Sequence, residues 1–579
     1  MRSYKEEYQY WLDSPALDEE EWKELSAIAD DEKEIESRFY APLEFGTAGL
    51  RGIMATGLNR MNVHVIRWAT QAFAAVVKAE GEEACEKGVV ICYDCRLNSA
   101  RFAHEAAGVM AANGIKVRIF DALRPTPELS FAVIHYGATA GINVTASHNP
   151  REYNGYKVYW SDGAQLPPQH AAAVAEEMGR IDLFKDVKRM DFDEAVAEGM
   201  VQLIGAETDE AFLAEVMKMS VNSDVVREVA DDFKIVYTPF HGAGYKLVPE
   251  ALRRLGVKHL YSEPKQMVID GNFPTVKSPN PENPEGFYLA VDLAKQVGSD
   301  LIIGTDPDSD RVGTMVRGSD GEYHTITGNQ MGVLLLDYII NAKKAGGTMP
   351  ENPAFIKTIV TTNMGREVAE RNGVHVDETF TGFKFMAEKL AEYKRDNSYN
   401  YLLAYEESYG YMVGDYVRDK DAVTASMLIA EMAASYFKKG MTLADALEAL
   451  YEKYGHFGEL TLNLVMPGLD GLEKMRAIMA TLRAQPPREI GGSAVLGMRD
   501  YLSGTVSVAE LGVVGKTPIV GSNVLYFELE DGTSFIVRPS GTEPKIKVYI
   551  LAQGESRADC DARIARYKAF AETLPGLSG

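Results

Sequence analysis

The sequence predicts an α/β protein with three similar α/β domains in series and a C-terminal α+β domain. Three observations carry this. First, one layout recurs in residues 88–120, 233–263 and 354–378: a β-rich apolar run, a polar loop, a helical stretch, then a glycine opening a second strand. Second, the copies lie too far apart for a solenoid, whose repeats follow one another every ~20–50 residues. Third, the tail breaks the pattern. "NVLYFELEDGTSFIVRPSGTEPKIKVYILA" alternates about Asp531-Gly532, a hairpin signal, and the helical run "SRADCDARIARYKAFAETL" follows. A chain of 579 residues is also too long for one core.

Taken in order, the first forty residues read as helices. In "SPALDEEEWKEL" Ser14 is the expected cap, Pro15 lies in the first turn, and acids follow near the positive helix end. The first repeat is "GVVICYDCRLNSARFAHEAAGVMAANGIKVRIF", the second "FKIVYTPFHGAGYKLVPEALRRLGVKHLYSE" and the third "AFIKTIVTTNMGREVAERNGVHVDE". Gly114, Gly256 and Gly373 are the expected left-handed stops of their helices. Strand–helix–strand units of this length favour parallel pairing. The expected domains are 1–205, 206–323, 324–454 and 455–579.

Composition excludes several classes. With 46% hydrophobic and 25% charged residues, disorder is not the expectation. A net charge of −24 disfavours nucleic acid and anionic membrane as partners. No apolar run reaches the ~18 residues of a membrane span, and "MGVLLLDYIINA", broken by Asp337 and Asn341, suits a buried helix. "MRSYKEEYQYWLDSP" has no signal-peptide core, so a reducing cytoplasm is expected. Cys92 and Cys95 form a lone CxxC in "VVICYDCR" and read as small buried residues rather than metal ligands.

Four stretches carry chemistry. In "DLIIGTDPDSDRVG" a short buried strand ends at Gly304, and Asp306, Asp308 and Asp310 follow at spacing two. Three carboxylates this close repel unless a cation sits among them. An EF-hand calcium loop fails, because its glycine and its closing glutamate positions hold Arg311 and Arg317. A magnesium site suits the hard oxygens, and Arg311 adds a bidentate donor for a phosphate. In "FIVRPSGTEPK", Arg538, Ser540, Gly541 and Thr542 offer donors to an anion, although Pro-Ser-Gly is also an ordinary turn. In "LLAYEESYGY", Glu406 and Glu407 follow an apolar run with Ser408 and Gly410 after them, and carboxylate plus hydroxyl suits sugar hydroxyls; a charged strand end explains them equally well. "FGTAGLRG" reads as a flexible glycine loop presenting Arg51 to an anion.

A cation held by the triplet needs an anionic partner. "VTASHNP" supplies one if Ser147 carries a phosphoryl group of about −1.5 to −2 charges, acting as a covalent relay. His148 could be its base, but adjacent residues often point apart, so an orienting or electrostatic role is expected, with a purely structural role the alternative. Lys157, in "REYNGYKVYW", is either a proton-exchanging lysine beside the phosphate or a surface lysine on an edge strand.

"TASHNP" with "NGYK", "TDPDSDR", "EESYG" and "RPSGTEP", in this order and widely separated, resemble the α-D-phosphohexomutase family. With "GTAGLRG" and the terminal hairpin the resemblance spans residues 40–579. It implies four domains around a central cleft, the last similar to TATA-binding protein. It implies that Ser147 is the phosphoserine and that one Mg²⁺ is bound by its phosphate with Asp306, Asp308 and Asp310. Glu406 and Ser408 match the sugar loop, and Arg538, Ser540, Gly541 and Thr542 the phosphate loop. Arg51, His148 and Lys157 match active-site positions, and "TGFKF" places Lys384 near the substrate. "YEES", with Tyr405 before the glutamate, is similar to the phosphoglucomutase-2-like branch, which covers glucose and pentose phosphates.

The implied reaction interconverts α-D-glucose 1-phosphate and glucose 6-phosphate through glucose 1,6-bisphosphate, in a monomer or small homo-oligomer. Phosphopentomutase or phosphomannomutase activity on the same scaffold, a phosphatase, and a silent sugar-phosphate sensor are the alternatives.

Overall fold

A computed structural model describes the chain apart from residues 1, 47–48, 467–470, 510, 541–544 and 579, and apart from the side chains of 577 and 578. The chain forms two compact units. One is Met1–Thr327 with Ser408–Thr442; the other is Gly328–Glu407 with Leu443–Gly579.

The first unit holds two α/β sheets. Strands β1 (Leu50–Ile53), β2 (Val89–Tyr93), β3 (Val117–Phe120), β4 (Ala140–Val144), β5 (Tyr153–Trp160) and β6 (Val201–Ile204) form one in the order β1-β5-β4-β2-β3-β6. β2, "VVICY", is buried along its whole length because parallel neighbours β3 and β4 flank it and helices cover the faces. Its cysteine Cys92 is a buried core residue as expected, whereas Cys95, beyond the strand end, is only half-buried. The second sheet contains β7 (Lys234–Thr238), β8 (His259–Ser262), β9 (Leu301–Thr305), β10 (Val312–Arg317) and β11 (Tyr323–Ile326), ordered β11-β10-β9-β7-β8. The helix Ala422–Phe437, from the returning segment, packs against the helix Gly244–Leu255 and against β9 and β10.

The second unit holds β12 (Pro353–Thr358), β13 (His375–Thr379) and β14 (Asn400–Glu406), with β12 parallel to both others. Its C-terminal sheet is antiparallel. There the strands Leu525–Leu529 and Ser534–Pro539 form the hairpin expected about Gly532, whose φ is +82°. The helix Arg557–Ala571, capped by Ser556, follows as expected.

Each repeat proves to be a parallel pair joined by a helix: β2–β3, β7–β8 and β12–β13. Gly114, Gly256 and Gly373 all have positive φ at the helix ends. Two local expectations are corrected. The helix near Ser14 begins at Glu19, because Asp18 accepts from Glu21 N–H while Glu21 Oε2 accepts from Asp18 N–H; this reciprocal box outcompetes the Ser14-Pro15 start. Arg51 lies not in a flexible loop but on β1, opposite Gly155. Gly49 allows that strand to start, since a Cβ there would sit 1.8 Å from the Tyr156 carbonyl oxygen. Among the described residues no helix is long and apolar enough to cross a membrane.

Candidate active site

Two sets of predicted residues emerge, one in each unit. In the first, β4 ends at Val144 and the chain turns through Ser147, while β9 ends at Thr305 and turns through Asp306, Asp308 and Asp310. Both turns leave the carboxyl ends of strands, where open α/β sheets bind ligands. Ser147 Oγ donates to Asp306 Oδ2 at 3.1 Å and lies 3.2 Å from His148 Nδ1. Residues 159 positions apart in sequence are therefore in direct contact.

The aspartate turn is fully buried, with Asp306 and Asp308 at 0% and Asp310 at 1% exposure. Its backbone is fixed by its own side chain, since Asp306 Oδ1 accepts the N–H groups of Asp310 and Arg311. The 240–244 loop supports it from below. Ala243 N–H donates to the Pro307 carbonyl, and a Cβ on Gly242 would lie 2.5 Å from Pro307 Cα. Asp308 Oδ2 accepts from Lys157 Nζ at 2.8 Å and from Thr126 Oγ1 at 2.8 Å. Lys420 Nζ lies 3.2 Å from Asp310 Oδ2 and 3.0 Å from Asp419 Oδ1. Asp419 is held in turn by Tyr159 and Gln165.

A cation fits this arrangement by the donor chemistry. One oxygen from each of Asp306, Asp308 and Asp310 lies within 4.8 Å of the others. Asp308 Oδ1 and Asp310 Oδ1 are buried and accept no hydrogen bond. Leaving such oxygens without a partner is costly, and a hard cation with oxygen ligands is the partner they suit. Burial raises the Asp306 pKa, and the charges of Asp308 and Asp310 raise it further. Burial works against Asp308 too, but the Lys157 ammonium and the hydrogen bonds it receives hold it well below the usual carboxylate range. Burial, with the Arg311 and Arg51 guanidiniums, pushes His148 well below the ordinary imidazole value, so it is neutral at pH 7.

Lys157 is 6% exposed on β5, which lies between β1 and β4, so it is not a surface lysine on an edge strand. Arg51 donates to Asn149 Oδ1 at 3.1 Å. Arg311 donates to Glu282 Oε1 at 2.8 Å and to the Ser408 carbonyl at 3.1 Å, which ties the Ser408 turn to the aspartate turn. Ser147 itself has φ +54°, a strained conformation costing about 1–3 kcal/mol that surrounding structure must over-determine.

The second unit carries the other set. Glu406, 7% exposed at the end of β14, accepts from Gly382 N–H at 2.5 Å. Lys384 is the second residue of the helix Phe383–Asp396, 4.6 Å above the Phe385 ring, and burial lowers its pKa. Arg538 is the penultimate residue of the strand Ser534–Pro539 and bonds Tyr549. Ser540 N–H donates to the Lys545 carbonyl. Gly541 and Thr542 lie outside the described residues.

Tyr405, which precedes Glu406, is a core residue. It is 0% exposed and stacks on Phe355 at 5.4 Å. Gly332 and Gly365 make its room: Cβ atoms there would lie 2.3 and 2.8 Å from the tyrosine ring carbons and hydroxyl. Tyr405 and Glu406 alternate along a strand, so one enters the core as the other leaves it.

Sequence reading missed Thr126, Asp419 and Lys420. "VRDKDAV" held the signal, a charge run between apolar residues, but such runs are usually solvated. Here Arg418, Asp419, Lys420 and Asp421 are all at most 9% exposed.

Models of the four phosphoglucomutase/phosphomannomutase domains match in order. The α/β/α domains I, II and III match residues 42–185, 210–319 and 327–454, and the C-terminal domain matches 465–566. A phosphoglucomutase of Staphylococcus saprophyticus is 35% identical over 527 residues, covering 91% of this chain and 93% of the relative. One from Staphylococcus haemolyticus is 34% identical over 516 residues, covering 89% and 91%. Among solved structures, pp63/parafusin (phosphoglucomutase) of Paramecium has the same fold, with TM-score 0.66, 17% identity and coverage of 93% and 96%. A phosphoglucomutase/phosphomannomutase family protein of Burkholderia thailandensis has TM-score 0.61 and 19% identity, covering 92% and 97%. With four domain models in sequence and relatives a third identical along nearly their whole length, this chain belongs to the phosphoglucomutase/phosphomannomutase family.

Proposed function

We propose that this protein is a phosphoglucomutase, an isomerase of the cytoplasm built as four domains (1–205, 206–323, 324–454 and 455–579). It interconverts α-D-glucose 1-phosphate and glucose 6-phosphate through a phosphoserine at Ser147 and a glucose 1,6-bisphosphate intermediate. One observation carries the reading: Ser147 Oγ is 3.1 Å from a buried aspartate triplet with two unpartnered oxygens.

The residues divide the work. Asp306, Asp308 and Asp310 would hold Mg²⁺, which when bound neutralises phosphoryl charge and aligns its oxygens. Lys157 and Lys420 counter the excess carboxylate charge from the protein side. In the forward half, the Ser147 Oγ–P bond breaks as a sugar hydroxyl oxygen forms its bond to phosphorus. The hydroxyl proton needs an acceptor, and neutral His148, 3.2 Å from Oγ, is the base we assign. In the reverse half, Ser147 Oγ regains a phosphoryl group from the other end of the bisphosphate. Such a cycle needs a second, unreactive set that only grips. Glu406 and Ser408 for sugar hydroxyls, Lys384 and Arg311 for charge, and Arg538, Ser540, Gly541 and Thr542 for the distal phosphate are that set in this reading, with Arg51 beside the reacting phosphoryl group.

Side-by-side kcat/KM on the 1-phosphates of glucose, mannose and ribose tests the substrate. Glucose 1-phosphate is expected to lead. A lead by ribose or mannose moves the assignment to phosphopentomutase or phosphomannomutase. Inorganic phosphate release that matched substrate loss would make the chain a phosphatase.

A further inference from the structure

The "YDCR" stretch stood out in the sequence for its cysteines, but its chemistry lies in the residues between and after them. Asp94 and Arg96 follow β2 directly and are each 3% exposed. The Arg96 guanidinium is spread over the backbone of the Ser147 turn. Nη2 donates to the Ser147 carbonyl at 2.5 Å and to the Asn149 carbonyl, and Nη1 donates to the carbonyls of Pro150 and Tyr153 at 2.9 and 3.0 Å. Asp94 pairs with that guanidinium by charge, its Oδ2 3.3 Å from Arg96 Nε without a hydrogen bond, and its Oδ1 accepts the Arg96 backbone N–H at 2.9 Å. The same Oδ2 accepts from Thr145 Oγ1 at 2.6 Å, and Thr145 Oγ1 accepts from Ser147 N–H at 2.8 Å. The far side of the guanidinium is closed by the Phe273 ring, 5.2 Å away. Gly271 permits that approach, since a Cβ there would lie 2.4 Å from Leu97 N.

Both polar groups of the Ser147 peptide thus lead to one buried carboxylate: the N–H through Thr145, the carbonyl through Arg96. This is the over-determination that a serine at φ +54° requires. Relaxed to an ordinary conformation, the residue would redirect Oγ away from Asp306. We propose that the Asp94–Arg96 pair is the positioning device of the reaction, holding Ser147 in its left-handed turn so that Oγ faces the aspartate triplet. Neither side chain contacts Oγ, so these are positioning residues. A lysine cannot replace the arginine, because one ammonium cannot span four carbonyls in a planar fork. The inference rests on Ser147 being the phosphoryl carrier.

The test starts from dephosphorylated protein mixed with glucose 1,6-bisphosphate and Mg²⁺, quenched rapidly, with Ser147 phosphorylation followed by intact mass. Arg96→Lys is expected to slow the transfer by about 100-fold, the penalty for misplacing a reacting atom by roughly 1 Å, and to lower kcat while KM stays near wild type. Thr145→Val, which removes the N–H tether and its bond to Asp94 but leaves Arg96 in place, is expected to slow it by about tenfold. A folded Arg96→Lys protein that transfers at the wild-type rate overturns the proposal, as does one whose KM rises with kcat intact. If Arg96→Lys does not fold, Thr145→Val decides: an unchanged rate overturns the clamp, a slowed one supports it. A wild-type protein that takes no phosphoryl group on Ser147 defeats the phosphoserine reading itself, and the clamp with it.

Discussion

Two buried clusters of charge, one in each unit, show how a structural ion network differs from a reactive one. In the second unit Lys357, at 0% exposure, donates to Glu378 Oε1 at 2.9 Å and to the Thr358 carbonyl at 3.1 Å, and Arg366 adds a contact to Glu378 at 2.8 Å. Burial works against the Glu378 carboxylate, but the two cations hold its pKa down to about 2. Two cations meet one carboxylate there, so no acid is left in surplus, and the cluster ties β12 and β13 together. In the first unit four carboxylates, Asp306, Asp308, Asp310 and Asp419, meet three cations, the ammoniums of Lys157 and Lys420 and the Arg311 guanidinium 3.9 Å from Asp310 Oδ1, and two carboxylate oxygens have no hydrogen bond. Excess negative charge in the interior is tolerable only if something positive arrives. The surplus, not the burial, marks the site.

Removing the nucleophile sharpens the contrast most. Ser147→Ala is expected to lower mutase turnover by roughly 10⁴-fold or more while leaving the melting temperature near wild type, since its hydroxyl donates one hydrogen bond, to Asp306. Steady-state assays check the first half, and a thermal melt the second, in which losing the single Ser147–Asp306 hydrogen bond costs no more than about 1 kcal/mol.

Neutralising one member of each cluster should then give opposite results. Asp308→Asn is expected to cut activity by about 10²–10³-fold. Glu378→Gln is expected to leave turnover largely intact but to cost about 3–5 kcal/mol of stability, because it strands a buried lysine. Equal behaviour of the two variants would break the comparison.

Divalent metal should stabilise one cluster only. Mg²⁺ at one hundred times its dissociation constant adds about 2.7 kcal/mol to the folded state. The rise in melting temperature over an EDTA control should appear in wild type and in Ser147→Ala, and vanish in Asp306→Asn. A rise that survives Asp306→Asn places the metal elsewhere.

A smaller effect concerns pH. Glu459, bonded by Thr362, has its pKa raised by burial to about 7. Its folded value lies above the unfolded one near 4.5, so the folded state binds the proton more tightly. Stability therefore falls as pH rises from about 4.5 to 7 and levels off above, by at most about 3 kcal/mol. Glu459→Gln should melt at a higher temperature than wild type at pH 8 and at nearly the same temperature at pH 4.5. A constant gap between the two would contradict this.

What the sequence displayed was local. The aspartates at spacing two after a buried strand, the Ser-His pair after another, and the glycines closing three helices are all short-range patterns with a physical cause. What it hid was convergence. Lys420 and Asp419 reach the triplet from more than a hundred positions away, on a segment that returns to the first unit. Arg96 and Thr145 act through backbone groups, which leave no mark in side-chain pattern. Arg51 was misread because glycines suggest a flexible loop, whereas these let β1 pack closely.

The central claim is that Ser147 carries the phosphoryl group that the sugar receives. Intact mass and peptide mapping of the purified protein, before and after a brief chase with glucose 1-phosphate, test it directly. The account predicts a single phosphoryl adduct on Ser147, lost to the sugar as bisphosphate on the chase. Full mutase turnover by a protein whose Ser147 is never phosphorylated would contradict it.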